Sequence, residues 1–340
     1  MNGTWRKPPA CPLMTPEAQI PNAMSAVNFP PRPEVPVLQN GRVVTLPNAQ
    51  FFDFTSQITG RDHRLFVSIP PGDAPPEGFP VFYIFDGNGC FGTVAEIMRS
   101  RAPLDGLQPA VVVAIGYATD DLMTMMALRM KDLSTPATSA WLETVPFKIP
   151  GLTAEATGGV DDFIQVLDAE IRPAIANLIP VNAENQTVMG HSLGGLAVLR
   201  ILFTKPDMFR TFVASSPSIW WSDHAILADE VNFRTRIEAG EAAPRLLINA
   251  GGREQTPDAG ALRYFKNIAE AQASADFCGM VDNARALGER LAALTGDDRY
   301  QVETVVFADE GHGSVIPAAI SRGLQFALGV DSPLELKDTP

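Results

Sequence analysis

The run Gln186-Thr187-Val188-Met189-Gly190-His191-Ser192-Leu193-Gly194-Gly195 constrains the fold of this chain more than any other stretch. An apolar, strand-like lead, Thr187-Val188-Met189, enters Gly190-His191-Ser192-Leu193-Gly194, a match to G-x-S-x-G. A helix-like run, Leu196-Ala197-Val198-Leu199-Arg200-Ile201-Leu202, leaves it. Strand, serine and helix in that order require a turn so sharp that the serine takes a strained backbone. Side chains on the flanking positions would clash, which gives Gly190 and Gly194 a steric reason to be glycine. In this context the serine is the nucleophile of an elbow and not an incidental member of a glycine turn.

The surrounding pattern predicts a mainly parallel α/β sheet. Three runs are almost continuously apolar, as buried parallel strands are: Val81-Phe82-Tyr83-Ile84-Phe85, Ala110-Val111-Val112-Val113-Ala114-Ile115 and, with Asn249 its one polar residue, Leu246-Leu247-Ile248-Asn249-Ala250. Helical stretches separate them. Residues 162–178 carry Phe163, Ile164, Leu167, Ile171 and Ile175 at helical spacing. Such alternation implies helices on both faces of the sheet. Ahead of it, the strand-like residues 51–58 and 63–69 flank a Thr59-Gly60-Arg61-Asp62 turn and read as an antiparallel hairpin. The expected architecture is an α/β-hydrolase fold over residues 41–330. The Pro-rich residues 1–40 are expected to be an extended or disordered arm, and residues 331–340 a tail.

A serine hydroxyl needs a general base within hydrogen-bond reach and usually an acid to orient that base. In the elbow fold the chain order is serine, then Asp or Glu, then histidine. Two histidines follow Ser192. His224 comes too soon after the elbow. His312, in Glu310-Gly311-His312-Gly313, directly follows the strand-like residues 301–307 and is the expected base. Glu254 is the first carboxylate after residues 246–250 and is the expected acid, with Asp258 as its rival and a Ser–His dyad as the third option. His191 neighbours the nucleophile but is expected to point away from it, and His63 to be structural.

The oxyanion hole needs two backbone N–H groups. Leu193, the residue after the nucleophile, supplies one at the start of a helix. The other is expected from the glycine turn Asp86-Gly87-Asn88-Gly89 after the strand-like residues 81–85, with Asn88 the first choice and Gly87 the second.

Composition narrows the partners. A net charge of −13 opposes nucleic acid and anionic membrane surfaces. No apolar run reaches transmembrane length. The early prolines do not form the apolar core of a signal peptide, so a cytoplasmic protein is expected. Cys11, Cys90 and Cys278 are too scattered for a disulfide framework or a zinc site. A small-molecule ester is the expected partner. No metal or organic cofactor is expected, and the oligomeric state stays open.

Several segments together resemble the esterase family of α/β-hydrolases that includes enterochelin (siderophore) esterases and esterase D-like enzymes. They are Thr59-Gly60-Arg61, Phe85-Asp86-Gly87-Asn88, residues 129–136, the elbow, Ala214-Ser215-Ser216-Pro217-Ser218-Ile219-Trp220-Trp221 and Glu310-Gly311-His312-Gly313. The Ser-Pro-Ser-x-Trp-Trp and Arg-x-x-Asp segments resemble the siderophore-esterase branch. The resemblance implies Ser192 and His312 as the catalytic pair and Arg129 as a substrate contact. It also implies a lid-like insertion near residues 118–160, carrying Met123, Met125, Met126, Met130 and Trp141. Trp220 and Trp221 either face an aromatic acyl group or fill the core. A pocket for anionic ferric catecholates should gather cations, and Arg129 and Lys131 are the candidates in the matching segments. The function implied is a serine carboxylic-ester hydrolase, on siderophore-type lactones or on short or aromatic acyl esters of the feruloyl or S-formylglutathione type. A hydrolase-fold binding module with a silent site is the reading from another class.

Overall fold

The computed structural model describes residues 44–147, 151–257, 259–263 and 265–329. The expected arm and tail lie outside them, as does Asp258. Eight strands form one sheet: β1 Ala49–Thr55, β2 Asp62–Ser68, β3 Phe79–Phe85, β4 Val111–Gly116, β5 Val181–His191, β6 Thr211–Ser215, β7 Arg245–Gly251 and β8 Gln301–Phe307. Their order across the sheet is β1-β2-β4-β3-β5-β6-β7-β8. β1 and β2 pair antiparallel, β2 joins β4 antiparallel, and every pairing from β4 to β8 is parallel. This is the architecture expected, hairpin included.

The three apolar runs are central because they have nowhere else to go. All seven residues of β3 and all six of β4 are buried, and alternate residues serve opposite faces. Val81, Tyr83 and Phe85 pack in one layer with Phe163, Ile171, Leu196 and Leu199. Phe82 and Ile84 pack in the other with Val94, Met98, Ile320 and Leu324. Two helices cover that second face: α1 (Gly87–Asp105) and a C-terminal helix at Val315–Leu328. The first face is covered by α2 (Leu122–Leu133), by a helical stretch from Val160 to Leu178 with one π turn at Leu167–Ile171, by a helix at Leu193–Thr204 and by two later ones at Leu227–Glu238 and Met280–Ala292.

Chain order reverses at β3, which lies between β4 on one side and β5 on the other. In open α/β sheets such a switch point opens a crevice beyond the strand C-termini. The C-terminal end of β5 is His191, one residue before Ser192.

One expectation about the local structure changes. The glycine-rich residues 86–89 are not a free turn. Asp86, at φ 58°, turns the chain at once into α1, whose first residue is Gly87. A Cβ on Gly87 would lie 2.8 Å from the carbonyl carbon of Ala114, so glycine is needed there for the helix to start against β4.

His63 is structural, as expected. It is fully buried on β2, its ring beside Phe54, Tyr117 and Phe163. Burial, helped by the Arg61 charge and opposed by Glu170 and Asp62, pushes its pKa down from 6.5 to about 4. Between those values the unfolded chain binds a proton that the folded chain refuses, so stability is lost as pH falls. By pH 5 the loss is about 2 kcal/mol. His63→Phe should therefore lose about 2 kcal/mol less unfolding free energy than the parent between pH 7 and pH 5 in urea titrations. Equal losses in the two proteins would contradict this account of His63.

Candidate active site

Ser192 sits between β5 and the helix α3 (Leu193–Thr204). Its backbone, φ 60° and ψ −118°, is the strained conformation that the elbow demands. A Cβ on Gly190 would approach the Gly194 oxygen to 2.2 Å, so Gly190 is there for the expected reason. Gly194 is not: a Cβ there would meet only ordinary contacts, the nearest at 3.5 Å. Gly195 is the constrained one, since a Cβ would sit 2.8 Å from the Ser215 oxygen and 2.9 Å from Pro217. The steric requirement falls one residue later because the chain after β6 lies directly across the start of α3.

His312 Nε2 lies 3.1 Å from Ser192 Oγ, and His312 Nδ1 lies 2.6 Å from Glu254 Oε2. Two loops bring the acid and base together. After β7, Gly252 N–H donates to the Phe307 oxygen and Arg253 N–H to the Glu310 oxygen, so the loop bearing Glu254 is stitched to the one bearing His312. Gly251 and Gly252 allow that approach, with added Cβ atoms meeting the second loop's backbone at 2.5 and 2.8 Å. Burial of the Glu254 carboxyl would raise its pKa. Hydrogen bonds from His312, Ser216 Oγ (2.5 Å) and Gly251 N–H (2.7 Å), with the attraction of His312, outweigh burial and hold it below the usual carboxylate range. Glu254 is therefore a buried, ionised acceptor facing a histidine. His224 lies in a short turn at Trp221–His224 and does not join this cluster.

The His191 side chain turns from Ser192 toward Ser215, as expected, yet it still meets the base. Its ring folds back against that of His312, with centroids 4.6 Å apart, and its Nδ1 lies 3.1 Å from Ser215 Oγ. Burial first, then the repulsion of His312 and Arg129, keeps its pKa well below the ordinary value. It is a neutral slab under the base.

The second expected N–H site also takes a definite form. The first N–H groups of a helix have no intrahelical acceptor. Leu193 opens α3, and Gly87 and Asn88 open α1. The two helix starts lie side by side, because a Cβ on Gly194 would be 3.5 Å from Asp86 Oδ2 and 3.6 Å from Phe85 Cβ. The Asn88 side chain is committed elsewhere, donating to the Tyr117 and Thr119 oxygens and accepting from Tyr117 N–H. Leu193 lines the cavity described next, and Asn88 does not.

Ser192 and His312 open into a cavity of about 1220 Å³. One wall is aromatic. Trp220, Trp221 and Phe147 line it, backed by Trp141 and Phe277, with Trp221 Nε1–H donating to the Thr135 oxygen. The two tryptophans thus both fill the core and line the cavity. Met126 and Met130 of α2 also line the cavity, and both Met123 and Met126 are exposed. Arg129 lines the cavity but donates to both carboxylate oxygens of Asp86, at 2.7 and 3.0 Å, so its charge is balanced from below. Lys131 is not in the cavity; its Nζ donates to the Glu155 and Thr157 oxygens. Asp132, the second half of the Arg-x-x-Asp segment, is buried 2.6 Å from Arg61. The cations that the sequence reading missed are Arg253, Arg263 and Lys266, from the chain after β7. They lie in an aperiodic stretch, and the one available signal was position after the acid-bearing strand. Among the described residues no group of three or more His, Cys, Asp and Glu side chains is arranged to hold a metal ion, and no helix is long and apolar enough to cross a membrane.

A family model described as "Putative esterase" matches residues 56–277. The chain is 35% identical over 292 residues to the ferri-bacillibactin esterase BesA of Bacillus subtilis, covering 85% of this chain and 92% of that protein. It is 33% identical over 285 residues to the siderophore enterobactin esterase of Emericella nidulans, covering 79% and 91%. Among solved structures, the siderophore hydrolase EstA from Aspergillus nidulans superposes with a TM-score of 0.72 at 30% identity, over 85% of this chain and 97% of that one.

Proposed function

The chain belongs to this family of ester-hydrolysing enzymes, and from that premise we propose that it is a serine esterase that cleaves siderophore-type catecholate lactones through an acyl-enzyme. The observation that carries the proposal is the unbroken contact from Ser192 Oγ through His312 to the buried carboxylate of Glu254 at the floor of one large cavity.

In the proposed reaction His312 carries its proton on Nδ1, donated to Glu254, which leaves Nε2 free to accept. Ser192 Oγ attacks the ester carbon. Its proton passes to Nε2, and the carbonyl electron pair moves onto oxygen. The resulting oxyanion rests on the N–H of Leu193 and, from the start of α1, of Asn88, with the dipoles of both helices favouring negative charge. The bond to the alkoxy oxygen then breaks, that oxygen takes the proton from Nε2, and the alcohol leaves. Water, deprotonated by His312, repeats the sequence on the acyl-enzyme and frees Ser192. Ionised Glu254 stabilises the imidazolium formed in each half.

The substrate class rests on two supports. Relatives at 33–35% identity are named for siderophore esters. The cavity also exceeds the few hundred to about 1,000 Å³ of an ordinary small-ligand pocket, and its lining combines the aromatic residues with Arg253, Arg263 and Lys266 beside the acidic Glu270 and Asp309. That suits a bulky anionic chelate better than a short acyl group. From the segment expected to be lid-like, Met126, Met130, Pro146 and Phe147 line this space. Side-by-side assays test the reading: kcat/KM should be at least about a hundredfold higher for an enterobactin-like trilactone than for feruloyl or short-acyl esters. The reverse order would assign the enzyme to the simple esters. Removing two charges from the cavity lining, Arg263→Gln with Lys266→Gln, should raise KM about tenfold for the ferric catecholate and leave nitrophenyl acetate unaffected. Equal changes for both substrates would argue against a charge-selective lining.

A further inference from the structure

The Ser215-Ser216-Pro217-Ser218 segment has no part in the chemistry described above, yet each of its three hydroxyls meets a different member of the site. Ser215 Oγ lies 3.1 Å from Nδ1 of His191, the ring stacked on His312. Ser216 Oγ donates to Glu254 Oε1. Ser218 Oγ lies 3.4 Å from Ser192 Oγ. All three serines are buried, and Ser218 also lines the cavity.

The backbone is built to achieve this. Ser216 has φ 38°, an uncommon conformation for a residue with a side chain, and its N–H is held by the Asn249 oxygen at 2.6 Å. The positive φ turns the chain back across the elbow. There Ser218 N–H donates to the Ser192 oxygen and Ser192 N–H to the Ser215 oxygen. Gly195 leaves the room for Pro217 to cross.

Resting on the proposal that Ser192 is the nucleophile, we propose that Ser218 is a further catalytic residue, a hydroxyl that donates to Ser192 Oγ as negative charge develops there. The direction of donation follows from the inventory of protons. Ser192 directs its own proton at His312 Nε2, so its oxygen is left to accept, and Ser218 is the neighbour able to donate. At 3.4 Å the contact is longer than a formed O–H···O bond, as catalytic contacts in unliganded sites often are. It shortens when Oγ gains charge. Ser192 Oγ is charged twice per turnover, first as it loses its proton in attack and again as the acyl–oxygen bond breaks in deacylation. Ser218 keeps its own proton throughout. Ser215 and Ser216 are positioning residues that act through His191 and Glu254.

The test is the rate at which a fluorophosphonate probe labels Ser192, read beside steady-state turnover of a nitrophenyl ester. Ser218→Ala and Ser218→Cys should each label about tenfold more slowly and lose about tenfold in kcat with KM within twofold, the size expected for one hydrogen bond in the transition state. Ser218→Thr, which keeps the hydroxyl, should recover most of the rate. A residue that only packed the loop would change KM and thermal midpoint and would not separate Cys from Thr. Labelling at the parental rate by either the Ala or the Cys variant overturns the proposal. Ser192→Ala in the same assays separates the two readings. If it still turns over, the serine mechanism has failed; if it is inactive while the Ser218 variants label normally, only the role of Ser218 has failed.

Discussion

Ser192→Ala is expected to reduce ester turnover by a factor on the order of 10⁴ or more, about 5.5 kcal/mol of transition-state stabilisation. The loss should appear in kcat, because alanine leaves the cavity walls and the N–H groups of Leu193 and Asn88 in place to bind substrate. The fold should survive. Replacing the Ser192 hydroxyl by hydrogen leaves the backbone of the elbow as it is and removes only the contacts with His312 and Ser218. His312→Ala should cost nearly as much, and the double variant little more than either single one, since the two side chains act as a unit. Additive losses would mean that Ser192 and His312 serve separate purposes despite their 3.1 Å contact.

Glu254→Gln is expected to produce the second-largest effect, a fall in kcat between about 10² and 10⁴. The carboxylate is 1% exposed and accepts from His312, Ser216 and Gly251. An amide of the same shape carries no charge to stabilise the imidazolium. Its NH2 group can also turn toward Nδ1 and favour the wrong tautomer. The pH dependence carries a second sign. Because the Glu254 pKa is held below the usual carboxylate range, the group remains ionised through mild acid, and its contribution to stability is lost only as pH falls through that lowered value. The acidic limb of the parental rate profile should therefore not arise from Glu254, and Glu254→Gln should lower the plateau while still showing an acidic limb. A limb that disappears in the Gln variant would contradict this assignment.

What could be read from sequence follows from how local each signal is. The elbow was legible because strand, glycine, serine and helix are contiguous. His312 and Glu254 were legible because chain order in this architecture leaves few candidates at the ends of the strands now labelled β8 and β7. The apolar runs identified β3, β4 and β7 because strands buried on both faces cannot alternate. Other features were not local. Arg129 pairs with Asp86 across 43 positions, and nothing in either segment indicates that the arginine's charge is already balanced. Residues 86–89 read as a turn because glycine is a poor helix former, yet contact with β4 compels Gly87 and the helix starts there. The approach of Pro217 moves the steric requirement from Gly194 to Gly195. Serine is too common to advertise that three in four consecutive residues will each meet a different member of the site.

The most direct measurement is rapid acid quenching of the enzyme during turnover of a trilactone ester, followed by mass spectrometry of its peptides. The account expects an acyl group on the peptide containing Ser192, formed in the first turnover, absent from Ser192→Ala and longer-lived in Glu254→Gln. Full turnover with the acyl group on another residue, or undiminished turnover in Ser192→Ala, would contradict it.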